Sequence, residues 1–296
     1  MLRITDLHKS FSSTEVLRGL DLYVPEHSIF GFIGKNGSGK TTTMKLILGL
    51  LKADSGSIEV AGERVVYGNS PTNRHIGYLP DVPEFYSFMT APEYLKFCGE
   101  ITGMSQTDVK KKSGELLELV GLDDERHRIK GFSRGMKQRL GIAQALMNSP
   151  RLLICDEPTS ALDPVGRKEI LDILSHAREK TTVLFSTHIL SDVERICTDV
   201  AFLKDGTVQL QGSIADIKSR FSIDKYFVET DNADAARILT KRFPSICSDD
   251  GKLVFRQDDV CVYDVMAFIA EKRLPTTKIE KAEPTLESLF MEVDAK

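Results

Sequence analysis

The sequence predicts an α/β domain with a mixed sheet and an inserted helical subdomain, followed by a small α+β domain. Three patterns support this fold class. The short apolar segment 28–33 leads into a glycine-rich loop and then into residues with helical spacing. Helical periodicity dominates about residues 82–150, between segments that have the pattern of strands. After about residue 219, short strand and helix patterns alternate. We therefore expect domains at 1–218 and 219–296.

Composition fits a globular protein that stays in the cytosol. The 296 residues are 41% hydrophobic and 28% charged, with a net charge of −4, which argues weakly against nucleic acid as the main partner. No apolar run approaches the ~20 residues of a membrane span, and the first residues lack a signal-peptide core. Five scattered cysteines favour reduced, buried thiols over a disulfide framework or a zinc site.

The first strands and hairpins follow from alternation and turn residues. Leu2 to Leu7 and Leu20 to Val24 have strand patterns, and a short hairpin surrounds Ala61-Gly62. Residues 76–79 form another expected strand, and Asp205-Gly206 is typical of a tight hairpin turn between apolar segments.

Helix starts are marked by capping residues. Thr90 and Glu93 have capping-box spacing, with a proline in the first turn. Ser105 begins a helix that ends before Gly121, and Ser133 caps a third helix. A later helix is expected from about Ser160 to Lys180, after the strand 151–157.

The loop from Gly34 to Thr41 reads GKNGSGKT and fits the phosphate-binding P-loop pattern G-x-x-x-x-G-K-T. Glycines let backbone N–H groups approach phosphate oxygens, and the helix start adds partial positive charge. Lys40 would reach the β- and γ-phosphates, and Thr41 would offer its hydroxyl to Mg²⁺. A ligand-free strand-to-helix turn is the alternative, which the strand–loop–helix context disfavours. The predicted nucleotide-binding residues are Gly34, Lys35, Asn36, Gly37, Ser38, Gly39, Lys40, Thr41 and Thr42.

Two carboxylates end the apolar strand at 151–157. Asp156 fits an acid that holds Mg²⁺ through water, and Glu157 fits a general base for the attacking water. Helix-capping acids in a turn would be the ordinary interpretation without the P-loop. His188 ends the apolar segment 181–188, so we expect it to contact a γ-phosphate, although a lone histidine is usually a surface or core residue.

The remaining pattern, from about residue 225, gives strand, helix, strand, strand, helix, strand. That is the order of a ferredoxin-like split βαβ unit. Residues 284–291 predict a last helix. Regulation, dimerisation and binding of a small ligand or membrane subunit are possible roles, but the sequence favours none of them over a passive stabilising extension.

With these motifs in order, the first ~215 residues resemble the ATP-binding subunit of an ABC transporter. The resemblance rests on the P-loop, on LLICDE at 152–157 and on SALD at 160–163, which matches the family's D-loop and includes Asp163. His188 matches the switch histidine, and Phe11 the aromatic position that stacks on adenine. From its sequence alone, Phe11 is more simply a core residue. The segment FSRGM at 132–136 stands where the family has LSGGQ.

Two departures from the family pattern concern the site. The signature has Arg134 in place of a glycine and Met136 in place of a glutamine, while Ser133 and Gly135 are kept. Asp81 stands where a glutamine usually follows the strand end. Its carboxylate can bind Mg²⁺ or water but cannot donate a hydrogen bond when ionised, which argues against a γ-phosphate-sensing role.

The resemblance implies a head-to-tail pair with ATP and Mg²⁺ between the P-loop of one copy and Ser133, Arg134, Gly135 and Met136 of the other. A homodimer is the simplest pair, and an ATPase heterodimer is the alternative. A separate transmembrane permease is implied, docking near Val82–Met89, and packing of these aromatic residues inside the helical subdomain is the alternative. The resemblance also implies that the chain is cytoplasmic and peripheral on the inner membrane face. The ending PTLESLF at 284–290 resembles export-type and drug-resistance-type members. The competing functions are a soluble ABC protein acting on ribosomes or DNA, and a nucleotide sensor with little turnover.

Overall fold

The computed structural model describes residues 1–220, 225–249, 252–281, 285–287 and 289–290. The chain divides into a unit formed by Met1–Ala215 and a second unit that begins at Asp216. The expected last helix at 284–291 includes residues outside the described part, and none of the described helices is long and apolar enough to cross a membrane.

The first unit contains two sheets and a set of helices. Its strands are β1 (Leu2–Phe11), β2 (Thr14–Val24), β3 (Ile29–Ile33), β4 (Ser55–Val60), β5 (Glu63–Arg64), β6 (Ile76–Leu79), β7 (Leu152–Asp156), β8 (Thr182–Thr187), β9 (Asp199–Lys204) and β10 (Thr207–Ser213). Its helices are α1 (Lys40–Ile47), α2 (Ala91–Ile101), α3 (Gln106–Leu119), α4 (Arg134–Ala145), α5 (Pro164–Ala177) and α6 (Leu190–Ile196), and α7 (Ile214–Arg220) leads into the second unit.

The larger sheet has the order β10-β9-β3-β8-β7-β6 and is mixed, as the sequence predicts. Strands β9, β3, β8, β7 and β6 pair in parallel, and β10 pairs antiparallel at one edge. Every residue of β3, β7 and β8 is buried, which explains why the apolar residues of these strands are consecutive rather than alternating. Phe30 and Phe32 of β3 join α1 and the second sheet, β2-β1-β4-β5, in one hydrophobic core.

The register of the parallel strands brings the site loops together. Ile33 pairs with Thr187 across β3 and β8, and Asp156 pairs with Ser186 across β7 and β8. Carboxyl ends of parallel strands share one edge of the sheet, where ligands bind in open α/β folds. The loops after Ile33, Asp156 and Thr187 therefore meet at that edge.

The helical segment, which contains α2, α3 and α4, has the helix starts that the capping residues predict. Thr90 and Glu93 form a reciprocal capping box at α2, and the hydroxyls of Ser105 and Ser133 cap α3 and α4. Strand β6 approaches α4 closely, since a Cβ placed on Gly77 would lie 2.1 Å from the carbonyl oxygen of Ala145. The short helices α6 and α7 are not predicted by the sequence analysis.

The second unit has ferredoxin-like topology in its described residues, as the order of elements predicts. Its elements are β11 (Lys225–Thr230), α8 (Ala233–Arg242), β12 (Cys247–Asp249), β13 (Lys252–Arg256), α9 (Val262–Lys272) and β14 (Thr276–Lys281). The sheet order is β12-β13-β11-β14, with every neighbouring pair antiparallel. One face of the sheet packs on both helices through Val228, Leu239, Phe255 and Val265.

Candidate functional site

The glycine-rich loop between β3 and α1 presents backbone N–H groups to an open surface. Gly37 and Gly39 have φ of 84° and 109°, a region that side-chain-bearing residues rarely adopt. Gly34 is confined, since a Cβ there would lie 2.5 Å from Ser38 Oγ and 2.7 Å from the carbonyl oxygen of Leu203. Because Gly39 is the N-cap of α1 and has no side chain, the first N–H groups of the helix lack a side-chain cap.

Lys40 is held inside this loop. Its side chain is 6% exposed, and its Nζ donates to the carbonyl oxygens of Gly34 at 2.7 Å and Lys35 at 3.2 Å. The same Nζ lies 3.3 Å from Glu157 Oε1. A buried ammonium beside uncapped N–H groups gives this end of α1 a fixed positive charge, suited to a phosphate.

Thr41 and Asp156 meet beside the loop. Thr41 Oγ1 donates to Asp156 Oδ2 at 2.7 Å, and Ser186 Oγ donates to Asp156 Oδ1 at 2.6 Å. Asp156 is 3% exposed, so these two hydroxyls hold the carboxylate in place. Nearby, burial raises the pKa of the Tyr78 hydroxyl to about 12, and the charge on Asp156 adds to the shift, so this phenol stays neutral.

Glu157 points between Lys40 and His188. Its Oε2 lies 2.9 Å from His188 Nδ1, and its backbone N–H donates to Ser186 Oγ at 3.0 Å. Its φ of 48° is in the left-handed region, which turns the chain sharply after β7 and directs the side chain to the sheet edge. His188 is half exposed and can reach a ligand as well as Glu157.

The predicted signature forms the exposed start of α4. Ser133 Oγ accepts a hydrogen bond from the backbone N–H of Met136 at 3.2 Å, and a Cβ on Gly135 would meet nothing closer than 3.9 Å. Arg134 Nη2 lies 3.3 Å from Ser160 Oγ and 3.6 Å from Asp81 Oδ1, rather than pointing freely to solvent.

The other predicted site residues have simple environments. Asp163 Oδ1 accepts from the backbone N–H of Gly166 at 3.0 Å and so caps α5. Phe11 is 44% exposed, with Lys9 Nζ 5.2 Å from its ring centroid, so it lies outside the core. Lys35 and Asn36 lie on the exposed side of the loop, and Thr42 is half-buried on α1.

The predicted docking segment 82–89 is partly packed and partly exposed. Phe85 packs edge-to-face on Tyr94 with ring centroids 5.1 Å apart, and Tyr86 packs similarly on Phe97 at 5.5 Å. Val82 and Phe88 are 65% and 63% exposed. The segment therefore has an inner side that belongs to the helical segment and an outer apolar side.

Sequence reasoning missed several residues that hold the site. Ser186 bridges the Asp156 carboxylate and the Glu157 backbone. Asp192, 3% exposed, accepts from Thr159 Oγ1 at 2.7 Å and from Arg167 at 2.6 Å. Only the cross-strand register of Ser186 with Asp156 would have indicated the serine, and no local signal marks Asp192.

The donor set fits a nucleoside triphosphate with Mg²⁺. Ser38 Oγ is buried and has no hydrogen-bond partner in the described part of the chain, which suits a donor to a phosphate oxygen. Thr41 and Asp156 offer one hydroxyl and one carboxylate, the small set of hard oxygen ligands that Mg²⁺ uses when phosphates complete its coordination.

Comparisons with known proteins identify the family that this chain resembles. Residues 17–160 match the family model described as ABC transporter. The chain is 37% identical to an uncharacterized ABC transporter ATP-binding protein, YxlF of Bacillus subtilis, over 99% of both chains. It is 35% identical to the bacitracin transport ATP-binding protein BcrA of Bacillus licheniformis, over 99% of this chain and 97% of that one. A solved dimeric structure of a bacterial ABC transporter cassette is 25% identical over 72% of this chain and 99% of its own, with a TM-score of 0.64.

Proposed function

The chain belongs to the family of ABC transporter ATP-binding subunits, and we propose that two copies close head to tail around ATP, hydrolyse it with Glu157 as the base, and drive export by a separate membrane permease. The observation that carries this proposal is the convergence of Lys40, Thr41, Asp156, Glu157 and His188 at one edge of the parallel sheet. Together they supply a phosphate-binding cation, Mg²⁺ ligands and a base, which are the groups that phosphoryl transfer to water uses.

The glycine-rich loop and the start of α1 would bind the nucleotide. The uncapped N–H groups of α1 and the Lys40 ammonium would hold the β- and γ-phosphates. The Lys40 ammonium already lies next to the Glu157 carboxylate. Its positive charge would therefore interact with both the bound phosphate and the base. The exposed ring of Phe11 supports a stacking contact with the adenine.

Hydrolysis needs a base and a held phosphate. Mg²⁺, bound by Thr41 and Asp156, would neutralise charge on the phosphate oxygens. Glu157 would accept the proton of the attacking water, while His188 orients that carboxylate through the 2.9 Å hydrogen bond and contacts the γ-phosphate. Asp81 is kept as a further candidate Mg²⁺ or water ligand, although its carboxylate contacts Ser160.

A second copy would complete each site. Ser133 and Gly135 lie at the start of α4, where the helix N-terminus can face the γ-phosphate held by the other copy. Arg134 and Met136 flank that position, and Asp163 lies in the D-loop between the copies. One P-loop and one signature per chain make a homodimer the simplest assembly, and the dimeric cassette in the comparisons supports pairing.

The membrane side of the proposal rests on the outer face of segment 82–89 and on the relatives. The exposed Val82 and Phe88 would receive a short segment of a permease. The chain would then work in the cytoplasm, against the inner face of the membrane. A relative named for bacitracin transport, 35% identical over nearly the whole chain, supports export.

The direct test is the ATPase activity of the purified full chain and of Glu157→Gln. We expect Glu157→Gln to lose at least about a hundredfold in turnover, since a general base contributes on that order, while ATP binding is retained. Glu118→Gln, an exposed carboxylate on α3, is the matched control and should keep full turnover. Equal turnover of Glu157→Gln and the wild-type chain would overturn the assignment of the base.

A further inference from the structure

Three loops around the site meet at the carboxylate of Asp81. Asp81 follows β6, Arg134 begins α4, and Ser160 lies in the turn after β7. Ser160 Oγ donates to Asp81 Oδ1 at 2.7 Å, and Arg134 Nη2 lies 3.3 Å from Ser160 Oγ and 3.6 Å from Asp81 Oδ1. The shortest of these contacts is the hydrogen bond between Ser160 and Asp81.

Asp81 is itself fixed by α4. Gln138 Nε2 donates to the backbone carbonyl oxygen of Asp81 at 2.7 Å, and Gln138 is fully buried. The main chain of Asp81 is thus anchored on the interior side of α4, while its carboxylate, 49% exposed, faces Ser160 and Arg134. The Arg134 guanidinium offsets the charge of the carboxylate, although an exposed ion pair at this distance adds little stability.

Ser160 closes the turn that carries Glu157. The backbone N–H of Ser160 donates to the carbonyl oxygen of Glu157 at 3.0 Å. Glu157 and Ala161 have φ of 48° and 52°, a backbone region that is unfavourable for residues with a side chain, so the turn needs contacts from outside to keep its shape.

Besides the hydrogen bond from the Glu157 backbone N–H to Ser186 Oγ, the turn is held by two side-chain anchors of different kinds. On its buried side, Thr159 Oγ1 donates to Asp192 Oδ2 at 2.7 Å, and Arg167 pairs with the same carboxylate. On its exposed side, the anchor is the bond from Ser160 to Asp81. The buried anchor is part of the interior, whereas the exposed anchor depends on where α4 holds Asp81.

We propose that Asp81 is a positioning residue, which acts through the Ser160 hydroxyl to fix the turn that aims the Glu157 carboxylate. This inference rests on the proposed function of Glu157 as the base. The Asp81 carboxylate accepts a hydrogen bond from Ser160, and the positioning role needs no contact between Asp81 and the attacking water or the phosphate. Its role requires an acceptor oxygen at this place and does not require the negative charge.

The test measures turnover, KM and affinity for MgATP with the purified full chain. Asp81→Ala and Ser160→Ala should each lower kcat by about tenfold, the effect of a hydrogen bond of ordinary strength, with KM and MgATP affinity within about twofold of wild type. Since both changes remove the same bond, the double variant should be no slower than the slower single variant.

Asp81→Asn separates the hydrogen bond from the charge. The amide oxygen of the introduced asparagine can still accept from Ser160, so most of the lost turnover should return. Asp172→Ala is the matched control, because Asp172 is also 49% exposed and pairs with Arg195 at 3.1 Å on the same unit. It should leave kcat unchanged, and the thermal midpoints of all variants show whether they fold.

Several results would overturn the proposal. A tenfold loss of MgATP affinity in Asp81→Ala would make Asp81 a metal ligand instead, and multiplicative losses in the double variant would make Asp81 and Ser160 independent. Unchanged turnover in Asp81→Ala, or Asp81→Asn as slow as Asp81→Ala, would also exclude it. Glu157→Gln is run in parallel to separate the positioning role of Asp81 from the proposed function. If Glu157→Gln remains active, the assignment of Glu157 as the base fails. If Glu157→Gln is inactive while Asp81→Ala keeps full turnover, the positioning role alone fails.

Discussion

At the scale of single residues, a substitution of Gly135 can distinguish an effect on folding from an effect on the pairing of two copies. A Cβ there would find its nearest atom, Ser133 Oγ, 3.9 Å away, so alanine fits the isolated chain. Gly77 is the opposite case, with backbone 2.1 Å from its Cβ position. Only a second copy, bringing a phosphate against the start of α4, would make Gly135 necessary.

Gly135→Ala should therefore abolish turnover without destabilising the chain. We expect the thermal midpoint to stay or rise, since alanine is favoured over glycine in a helix by up to about 1 kcal/mol. Gly114→Ala in α3, where a Cβ would also meet nothing within 4 Å, is the control and should keep full ATPase activity. Full activity in Gly135→Ala would mean that α4 does not face a nucleotide.

From the sequence, site residues can be proposed where the signal is local but not where it depends on distant parts of the chain. The spacing of Gly34, Gly39 and Lys40 is readable because adjacent residues form the loop. Ser186 and Asp192 could not be proposed, because their partners come from other strands and helices that only the folded chain brings near.

At the scale of elements, the capping box of α2 gives a pH-dependent prediction. The backbone N–H and then the hydroxyl of Thr90 hold the pKa of Glu93 below its usual 4.5. A carboxylate with a lowered folded-state pKa stabilises the fold above its unfolded pKa, and the stabilisation is lost as pH falls through the folded-state pKa.

Glu93→Gln should lower the thermal midpoint at pH 7, where the wild-type carboxylate is charged. The difference from wild type should shrink as pH falls well below 4.5, because protonated Glu93 then resembles glutamine. Melting curves of both proteins from pH 7 downward measure this. Glu118→Gln on α3 corrects for general loss of charge, and a pH-independent difference would contradict the capping role.

Helices of two or more turns were predictable, and the shorter helices were not. The α2, α3 and α4 starts follow from Thr90, Ser105 and Ser133, whose hydroxyls satisfy backbone N–H groups. Helices α6 and α7 have seven residues each, too few to show a periodic apolar face.

At the scale of the whole molecule, the outer face of segment 82–89 is the predicted contact with a permease. Val82→Ser with Phe88→Ser should remove co-purification of a membrane protein from gently solubilised native membranes. ATPase activity and thermal midpoint should stay, because the two side chains are 65% and 63% exposed. Persistence of the membrane protein with this double variant would place the docking surface elsewhere.

Two controls make that experiment specific. Phe85→Ser should lower the thermal midpoint, since Phe85 packs on Tyr94 inside the helical segment. Tyr67→Ser removes an equally exposed apolar side chain, 65% exposed, and should leave co-purification intact. Loss of the membrane protein with Tyr67→Ser would indicate a non-specific effect of making the surface more polar.

The topology of the second unit was predictable and the strand order of the larger sheet was not. In the second unit, the succession of short elements corresponds to one familiar arrangement of four strands and two helices. In the first unit, strands distant in sequence become neighbours, such as β3 with β8 and β9, and no local pattern encodes such crossovers.

The central claim, that two copies close around ATP, is tested most directly by the mass of Glu157→Gln in sedimentation. With MgATP we expect a pair of about 66 kDa, twice the 33.0 kDa of one chain, and without nucleotide a single chain. Adding Gly135→Ala should prevent pairing while ATP still binds. A single chain at saturating MgATP, or equal pairing with and without nucleotide, would contradict the account.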